Sequence, residues 1–152
     1  MKAVIQRTDG ASVQVDGETV GKIGLGFTIL LGVENGDTYE DAEILAQKVA
    51  NLRVFSDSEG KMNLSLLAVN GEALVISNFT LCADHKKGNR PSFIGAADPE
   101  TANTLYELFI AELKLAGVKN VQKGVFGGDM RVSILNDGPV TLLLDTKVWI
   151  KK

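Results

Sequence analysis

Apolar and polar residues alternate loosely over Lys2 to Val15, and this two-residue period predicts a first β-strand. Asp9-Gly10 interrupts the alternation in the manner of a turn or a bulge. Asp16-Gly17 is a dipeptide favoured in tight hairpin turns, so Glu18 to Ile23 is predicted to return antiparallel to the first strand. Gly26 to Val33 is a continuous apolar run, which predicts a fully buried strand.

Two helices are predicted from apolar residues spaced three and four positions apart. The first runs from Thr38 to Leu52, and Asp37 with Glu40 is placed to cap its start. Its apolar face consists of Ala42, Leu45, Ala46, Val49 and Leu52. The second begins at Asp98-Pro99, an N-cap followed by proline at the first helical position, and ends at Gly117.

The other apolar segments are predicted to be strands separated by turns. Asn70-Gly71 predicts a hairpin that leads into a strand from Glu72 to Leu81, and Cys82 to Ala97 has the length of a functional loop. The last three predicted strands are Lys119 to Phe126, Arg131 to Leu135, and Val140 to Thr146. Two helices among seven or eight strands predict an α+β fold, a single domain over residues 1–152 with a curved, mostly antiparallel sheet.

Composition narrows the class of protein. The chain has 152 residues and is 45% hydrophobic, and a domain of this length buries about 70% of the surface that its unfolded chain exposes. Its longest apolar runs are strand-sized and too short to span a bilayer, and its start lacks the apolar stretch of a signal peptide. The single cysteine, Cys82, excludes an internal disulfide and fits a reducing compartment. We expect a soluble, cytoplasmic protein that does not bind membranes.

Charge bears on nucleic-acid binding. The formal net charge of −3 argues against a protein that grips long stretches of phosphate backbone, so DNA is not an expected partner. Two basic clusters are present: Lys86, Lys87 and Arg90 in the predicted loop, and Lys147, Lys151 and Lys152 near the C-terminus. Solvated surface charge explains most clusters of this kind. The loop cluster is the stronger candidate for a transient contact with RNA, because it directly follows the strand that ends at Leu81.

Conventional catalytic groups are scarce. The candidate nucleophiles at the end of that strand are Ser77, Thr80 and Cys82, and the one histidine, His85, lies in the following loop. Positions so close along one loop rarely give a nucleophile and its base the geometry they need, so we interpret Cys82 as a buried thiol and His85 as an exposed imidazole. One histidine and one cysteine do not make a metal site, and no cofactor is expected. Gly124 to Gly128 lacks the context of a phosphate loop and predicts a tight turn.

Two short motifs carry a resemblance that covers the whole chain. Ser77-Asn78-Phe79-Thr80-Leu81 and Asn136-Asp137-Gly138-Pro139-Val140-Thr141, together with the opening Met1 to Arg7 and the loop string Gly88 to Phe93, resemble the D-aminoacyl-tRNA deacylases. One departure is Asn78, where the family usually has glutamine. The resemblance implies a barrel-like sheet with its helices packed on one side. It also implies hydrolysis of the ester that joins a D-amino acid to tRNA, with the acceptor end of the tRNA as a partner.

The resemblance also implies roles for individual residues. Such an ester is already activated, so positioning and backbone dipoles can suffice, and the segment from Ser77 to Thr80 is expected to supply N–H groups, with Phe79 and Thr80 the preferred donors. In the family the substrate's own 2′-hydroxyl assists, and Thr80 has alternatively been regarded as a nucleophile. Gly138-Pro139 is expected to be cis and to reach into the pocket of a partner subunit in a homodimer. There its carbonyls would bind the amino group and exclude L side chains.

Further residues are placed by the same resemblance, and one alternative stays open. Arg7 is expected to hold the Gly-Pro element, while Phe126, Met130 and Asn78 are expected near the pocket. Glycine has no side chain to exclude, so glycyl-tRNA mischarged on tRNA(Ala) is an expected second substrate. The alternative is a binding module for a small ligand or a protein, with no chemistry. It explains the missing nucleophile–base pair equally well.

Overall fold

The computed structural model describes residues 1–150, and the predicted basic residues Lys151 and Lys152 lie outside this range. Short 3₁₀ helices at Phe79–Cys82 and Thr146–Val148 accompany the longer elements. In chain order the longer elements are β1 Lys2–Val15, β2 Glu18–Ile23, β3 Gly26–Gly32, α1 Tyr39–Asn51, β4 Arg53–Ser56, β5 Met62–Ser65, β6 Glu72–Ser77, α2 Pro99–Leu115, β7 Val121–Lys123 and β8 Arg131–Asp145.

Six strands form one sheet in the order β2-β1-β3-β6-β7, with β8 paired to β1. The three neighbours of β1 are antiparallel to it, whereas β6 is parallel to both β3 and β7. Strands β4 and β5 form a separate antiparallel hairpin. The predicted α+β fold, with a curved, mostly antiparallel, barrel-like sheet and two helices, is confirmed. Within residues 1–150, no helix is both long and apolar enough to cross a membrane.

The core lies between the sheet and the two helices. Leu45 and Val49 of α1 and Phe109 and Leu113 of α2 have no exposed surface, and they belong to the same apolar cluster as Ile29 of β3. Burying a side chain of this size contributes about 1.5–3 kcal/mol, so the helices are held mainly by this face. Val75 of β6 belongs to the same cluster and Ala102 of α2 packs against it, so this packing also joins β6 to the N-terminal half of α2.

The N-cap of helix α1 lies one residue later along the chain than predicted. Thr38 is the N-cap, and Asp41 accepts hydrogen bonds from both the backbone N–H and the hydroxyl of Thr38, so Asp37 with Glu40 is the wrong pair. Helix α2 begins as predicted, because the Asp98 carboxylate accepts from the N–H of Thr101 at 3.0 Å.

The carboxylate of Asp37 serves the N-terminus instead. The ammonium of Met1 is fully buried and lies 2.8 Å from Asp37 Oδ1 and 3.7 Å from Asp41 Oδ1. It also donates to the hydroxyl of Thr146 at 2.6 Å, and that hydroxyl donates to Asp41. A buried charge requires such partners. This network joins the start of β1, the start of α1 and the end of β8.

Four predictions about strands are wrong. The strand predicted from Glu72 to Leu81 stops at Ser77, and the chain enters a 3₁₀ helix. Asn70-Gly71 is a turn with Asn70 at a positive φ of 49°, yet it makes no hairpin, since β6 pairs with β3 and β7. Strand β7 covers only Val121–Lys123 of the predicted 119–126. The two strands predicted after residue 130 are one continuous strand, β8, which runs through Gly138-Pro139.

Candidate active site

The first predicted motif forms a tight, exposed corner where β6 ends. Asn78 is the N-cap of the 3₁₀ helix, and its backbone N–H donates to the carbonyl of Leu31 on β3 at 2.8 Å. Its side-chain oxygen accepts from the N–H of Thr80 at 3.2 Å and also from the Thr80 hydroxyl. The corner is therefore tied to the sheet on one side and folded over the side chain of Asn78 on the other.

This hydrogen bonding decides what Thr80 can do chemically. Its hydroxyl donates to the amide oxygen of Asn78, and an amide oxygen does not accept a proton at neutral pH as a general base does. The arrangement does not activate Thr80 as a nucleophile. Its N–H is also taken by Asn78, whereas the N–H of Phe79 has no acceptor among residues 1–150. Of the two expected backbone donors, Phe79 is the one left available for a ligand.

A cavity of about 900 Å³ opens beside this corner. This volume is large enough for a small-molecule ligand. Its walls are mostly apolar and come from β3, β6, β8, the start of α2 and the turn after β7. Residues lining it include Leu30, Ile76, Ser77, Asn78, Phe79, Thr80, Ala102, Tyr106, Phe126, Met130 and Ile134. Six residues predicted for the site, Ser77 to Thr80 with Phe126 and Met130, are thus brought together.

Tyr106 is the large polar residue of this wall that sequence reasoning missed. Its hydroxyl donates to the carbonyl of Val75 at 2.8 Å, and its ring lies 5.9 Å from that of Phe126. Burial raises the pKa of the Tyr106 hydroxyl far above its usual range, and the nearby Glu107 carboxylate adds to the effect. Tyr106 therefore stays protonated and supports the wall. Its helical spacing in the sequence indicated only a core residue.

Cys82 and His85 do not form a catalytic pair. The Cys82 thiol is buried and donates to the carbonyl of Val33 at 3.4 Å, while His85 is exposed on the following loop. Burial raises the pKa of Cys82, and the negative charge of Glu34 raises it further, which disfavours the reactive thiolate. In the described part of the chain, no group of three or more His, Cys, Asp or Glu side chains is arranged to hold a metal ion.

The second motif forms a bulge in the middle of β8. Gln6 pairs with Thr141 and Thr8 with Asn136, so the four residues 137–140 lie opposite Arg7 alone. The Gly138–Pro139 peptide bond is cis, and both residues are exposed. The side-chain oxygen of Gln6 accepts from the hydroxyl of Thr141 at 2.5 Å and from the amide of Asn136, which clamps both ends of the bulge.

Arg7 spans the base of this bulge. Its Nε lies 3.0 Å from Asp137 Oδ2, and its Nη1 donates to the carbonyl of Val54 at 2.7 Å. Gly138 has a φ of +122°, and a Cβ there would lie 2.9 Å from Val140 Cγ2, so the position requires glycine. Sequence reasoning gave Gln6 and Asp137 no supporting role, because Gln6 is a polar position of the predicted first strand and Asp137 lies between two predicted strands. Neither pattern indicates a partner about 130 positions away along the chain.

The bulge and the cavity are separate features of one chain. Arg7, Gly138 and Pro139 do not line the cavity that the other six predicted residues share. The nine residues predicted for the site therefore form two groups, six that line the cavity and three at the bulge or its base.

Comparison with known proteins identifies the family. The chain matches the model of the D-Tyr-tRNA(Tyr) deacylase family over residues 4–145. Relatives named D-aminoacyl-tRNA deacylase include one from Dehalococcoides mccartyi, 57% identical over 97% of this chain and 95% of the relative. Another, from Lacticaseibacillus casei, is 56% identical over 97% of this chain and 99% of the relative.

Two solved structures share the fold. The structure named c-Myc DNA Unwinding Element Binding Protein has a TM-score of 0.90 and 42% identity, covering 95% of this chain and 98% of that one. A probable eukaryotic D-amino acid tRNA deacylase has a TM-score of 0.79 at 17% identity, over 94% of this chain and 97% of that one. The chain belongs to the D-Tyr-tRNA(Tyr) deacylase family. The prediction of the family is confirmed, and so is the prediction of an enzyme of the hydrolase class.

Proposed function

We propose that the chain hydrolyses the ester bond of D-aminoacyl-tRNA and releases the free D-amino acid and tRNA. One observation carries the proposal. The N–H of Phe79, which has no acceptor among residues 1–150, lies on the corner that borders an apolar cavity of about 900 Å³. Family membership supports the same substrate class.

The proposed chemistry uses positioning in place of a side-chain base. Water adds to the ester carbonyl carbon, and the oxygen that becomes negative accepts a hydrogen bond from the N–H of Phe79. The tetrahedral intermediate then expels the 3′ oxygen of the terminal ribose, which takes up a proton. The neighbouring 2′-hydroxyl of the substrate orients the water and assists the leaving oxygen. One preorganised donor of this kind contributes about 10²–10³ in kcat.

Selection of the D-amino acid is assigned to the bulge at Gly138 and Pro139. In the proposed homodimer each bulge enters the partner's cavity, where the two backbone carbonyls bind the substrate's amino group. The side chain of an L-amino acid would then clash with the backbone of the bulge. Because this clash involves only backbone atoms of the protein, it excludes L-amino acids whatever their side chain. The separation of bulge and cavity within one chain supports this assignment, as does the contact of Arg7 with Asp137. Glycyl-tRNA escapes the rejection and is a proposed second substrate.

The test is loss of the ester from D-tyrosyl-, L-tyrosyl- and glycyl-tRNA incubated with the protein. We expect the D and glycyl esters to be hydrolysed and the L ester to remain. Absence of D-selective hydrolysis would leave the alternative of a binding module. Sedimentation should give twice the mass of one chain, and a monomer with full D-selective activity would exclude the shared pocket. The cytoplasmic location and the absence of DNA binding stay predictions.

A further inference from the structure

The loop that follows the corner at Asn78 is closed at its base by backbone hydrogen bonds and is exposed to solvent beyond it. Asp84 and Ser92 exchange two backbone hydrogen bonds of 2.8 Å, and the N–H of Lys86 donates to the Asp84 carboxylate at 3.0 Å. Residues 85–90, here called the basic loop, are all exposed. The base of the loop is thus fixed while its side chains are presented to solvent.

The basic loop carries positive charge on an acidic protein. Lys86, Lys87 and Arg90 make no ion pair with any carboxylate among residues 1–150 and lie within five positions of one another. The other lysines and arginines without an ion pair in that range are spread along the chain: Lys22, Lys48, Arg53, Lys114 and Lys119. The chain as a whole has a net charge of −3. Three unpaired cations close together on such a surface are complementary to a polyanion.

Two aromatic rings connect the basic loop with the cavity. Phe79, on the active-site corner, and Phe93, just beyond the loop, meet edge to face with ring centroids 5.1 Å apart. Their exposed fractions are 59% and 37%, so the pair presents two adjacent aromatic rings to solvent. Phe79 also lines the cavity, and Phe93 directly follows Ser92 at the base of the basic loop, so the ring pair joins the cavity wall to the base of that loop.

We propose that this surface binds the single-stranded 3′ end of the tRNA. The terminal aminoacylated nucleotide occupies the cavity, the preceding unpaired base stacks on the pair Phe79 and Phe93, and the phosphates upstream contact the basic loop. Exposed aromatic rings beside unpaired cations are the combination that single-stranded nucleic acids require. This inference rests on the proposed function, because the terminal nucleotide lies in the cavity only if its ester is bound beside the N–H of Phe79.

The test compares two substrates that differ only in the nucleotides upstream of the ester. D-tyrosyl-tRNA presents the whole 3′ end, and D-tyrosyl-adenosine presents the terminal nucleoside alone. One variant removes the loop charges (K86S/K87S/R90S), and another removes the second ring (F93L). The matched control K22S/K114S/K119S removes three exposed lysines, none of them in an ion pair with a residue in 1–150, from other parts of the surface.

We expect the loop variant to lose about 10- to 100-fold in kcat/KM on D-tyrosyl-tRNA at low salt, since three exposed charge contacts are lost. For wild type, log kcat/KM should fall linearly with the logarithm of the salt concentration. Each phosphate contact on a single strand contributes roughly 0.7 to that slope, so the slope of the loop variant, which lacks three contacts, should be smaller by about 2. F93L should lose about 5- to 100-fold on the same substrate, the range of one stacked base. Neither variant should change the rate on D-tyrosyl-adenosine, and the control should match wild type.

Other outcomes overturn the inference and identify the cause. Equal losses on both substrates would mean that the loop supports the site and does not bind RNA. If the loop variant sediments as a monomer, the surface of the basic loop binds a second copy of the chain and not RNA. Full activity of both variants on D-tyrosyl-tRNA, or an equal loss in the control, would also refute it. A wild-type protein that cleaves neither substrate would refute the proposed function itself, and this inference with it.

Discussion

Replacement of Thr80 by alanine separates substrate-assisted chemistry from a side-chain nucleophile. The substitution removes the hydroxyl that donates to Asn78 but keeps the backbone of the corner and the N–H of Phe79. A neutral hydrogen bond contributes about 0.5–1.5 kcal/mol, so the loss in kcat/KM should be about tenfold or less. Removal of a true nucleophile costs on the order of 10⁶-fold in kcat in a well-studied protease.

The assay is release of D-tyrosine from D-tyrosyl-tRNA under single-turnover conditions. Thr80→Ser is the matched control, because it keeps a hydroxyl at the same position. Circular dichroism establishes that the variants are folded. A second arm uses tRNA that ends in 2′-deoxyadenosine and is charged on the 3′ position, and wild-type enzyme should hydrolyse it much more slowly.

The Thr80 variants and the deoxy substrate together can refute substrate-assisted hydrolysis. If Thr80→Ala is inactive, Thr80→Ser is active and the deoxy substrate is cleaved at the normal rate, then Thr80 is the nucleophile. Its hydroxyl would then have to leave Asn78 and find a base on substrate binding. We expect the opposite pattern, with a modest loss for Thr80→Ala and a large loss for the deoxy substrate.

Three further predictions follow from contacts outside the cavity. Arg7→Met removes the ion pair to Asp137 and should lower kcat/KM on D-tyrosyl-tRNA by about 10- to 100-fold without unfolding the protein. Arg7→Lys keeps the charge and should be less affected. Unchanged kinetics in Arg7→Met would show that the bulge has no role in the reaction. Asp37→Asn neutralises the nearest carboxylate to the buried Met1 ammonium, so urea unfolding should show a loss of about 3–5 kcal/mol in the free energy of unfolding, and a loss below about 1 kcal/mol would refute that role. For Glu34, burial raises the pKa, but the ion pairs with Lys147 and Lys2 outweigh this and hold the pKa below its usual value. The carboxylate therefore stabilises the fold above its unfolded-state pKa, and Glu34→Gln should be less stable by about 1 kcal/mol at pH 7. This difference should vanish as the pH falls through the folded-state pKa, and a difference independent of pH would contradict the assignment.

Local sequence signals determined the elements whose ends depend on near neighbours. Asp16-Gly17 predicts the turn between β1 and β2, and Asp98-Pro99 predicts the start of α2, both as observed. The apolar run Gly26 to Val33 predicts β3 to within one residue. In each case the deciding interaction lies within a few positions along the chain. The two motifs likewise identified the family without structural information.

Strand pairing and the shape of the site depended on tertiary contacts. Asn70-Gly71 has the local chemistry of a hairpin, yet β6 finds parallel partners in β3 and β7, a choice made by packing against distant segments. Likewise, Gly138-Pro139 signals a break between two strands. The chain instead continues as β8, because β1 pairs on both sides of the bulge and Gln6 clamps its ends.

The contacts that give the candidate site its chemistry also join distant positions. Arg7 meets Asp137 across 130 positions of the sequence. The corner at Asn78 is fixed by Leu31 of β3, and the cavity beside it takes residues from four strands or turns and a helix. Alternation and turn propensity describe only neighbouring residues, so the sequence by itself determined which segments fold into strands and helices and which motifs they carry. The Asn78 side chain that occupies the N–H of Thr80 is only two positions away, but sequence reasoning did not predict this contact. The tertiary structure decided that β6 ends at Ser77, and that the residues of the bulge do not line the cavity. Both depend on which distant segments pack together.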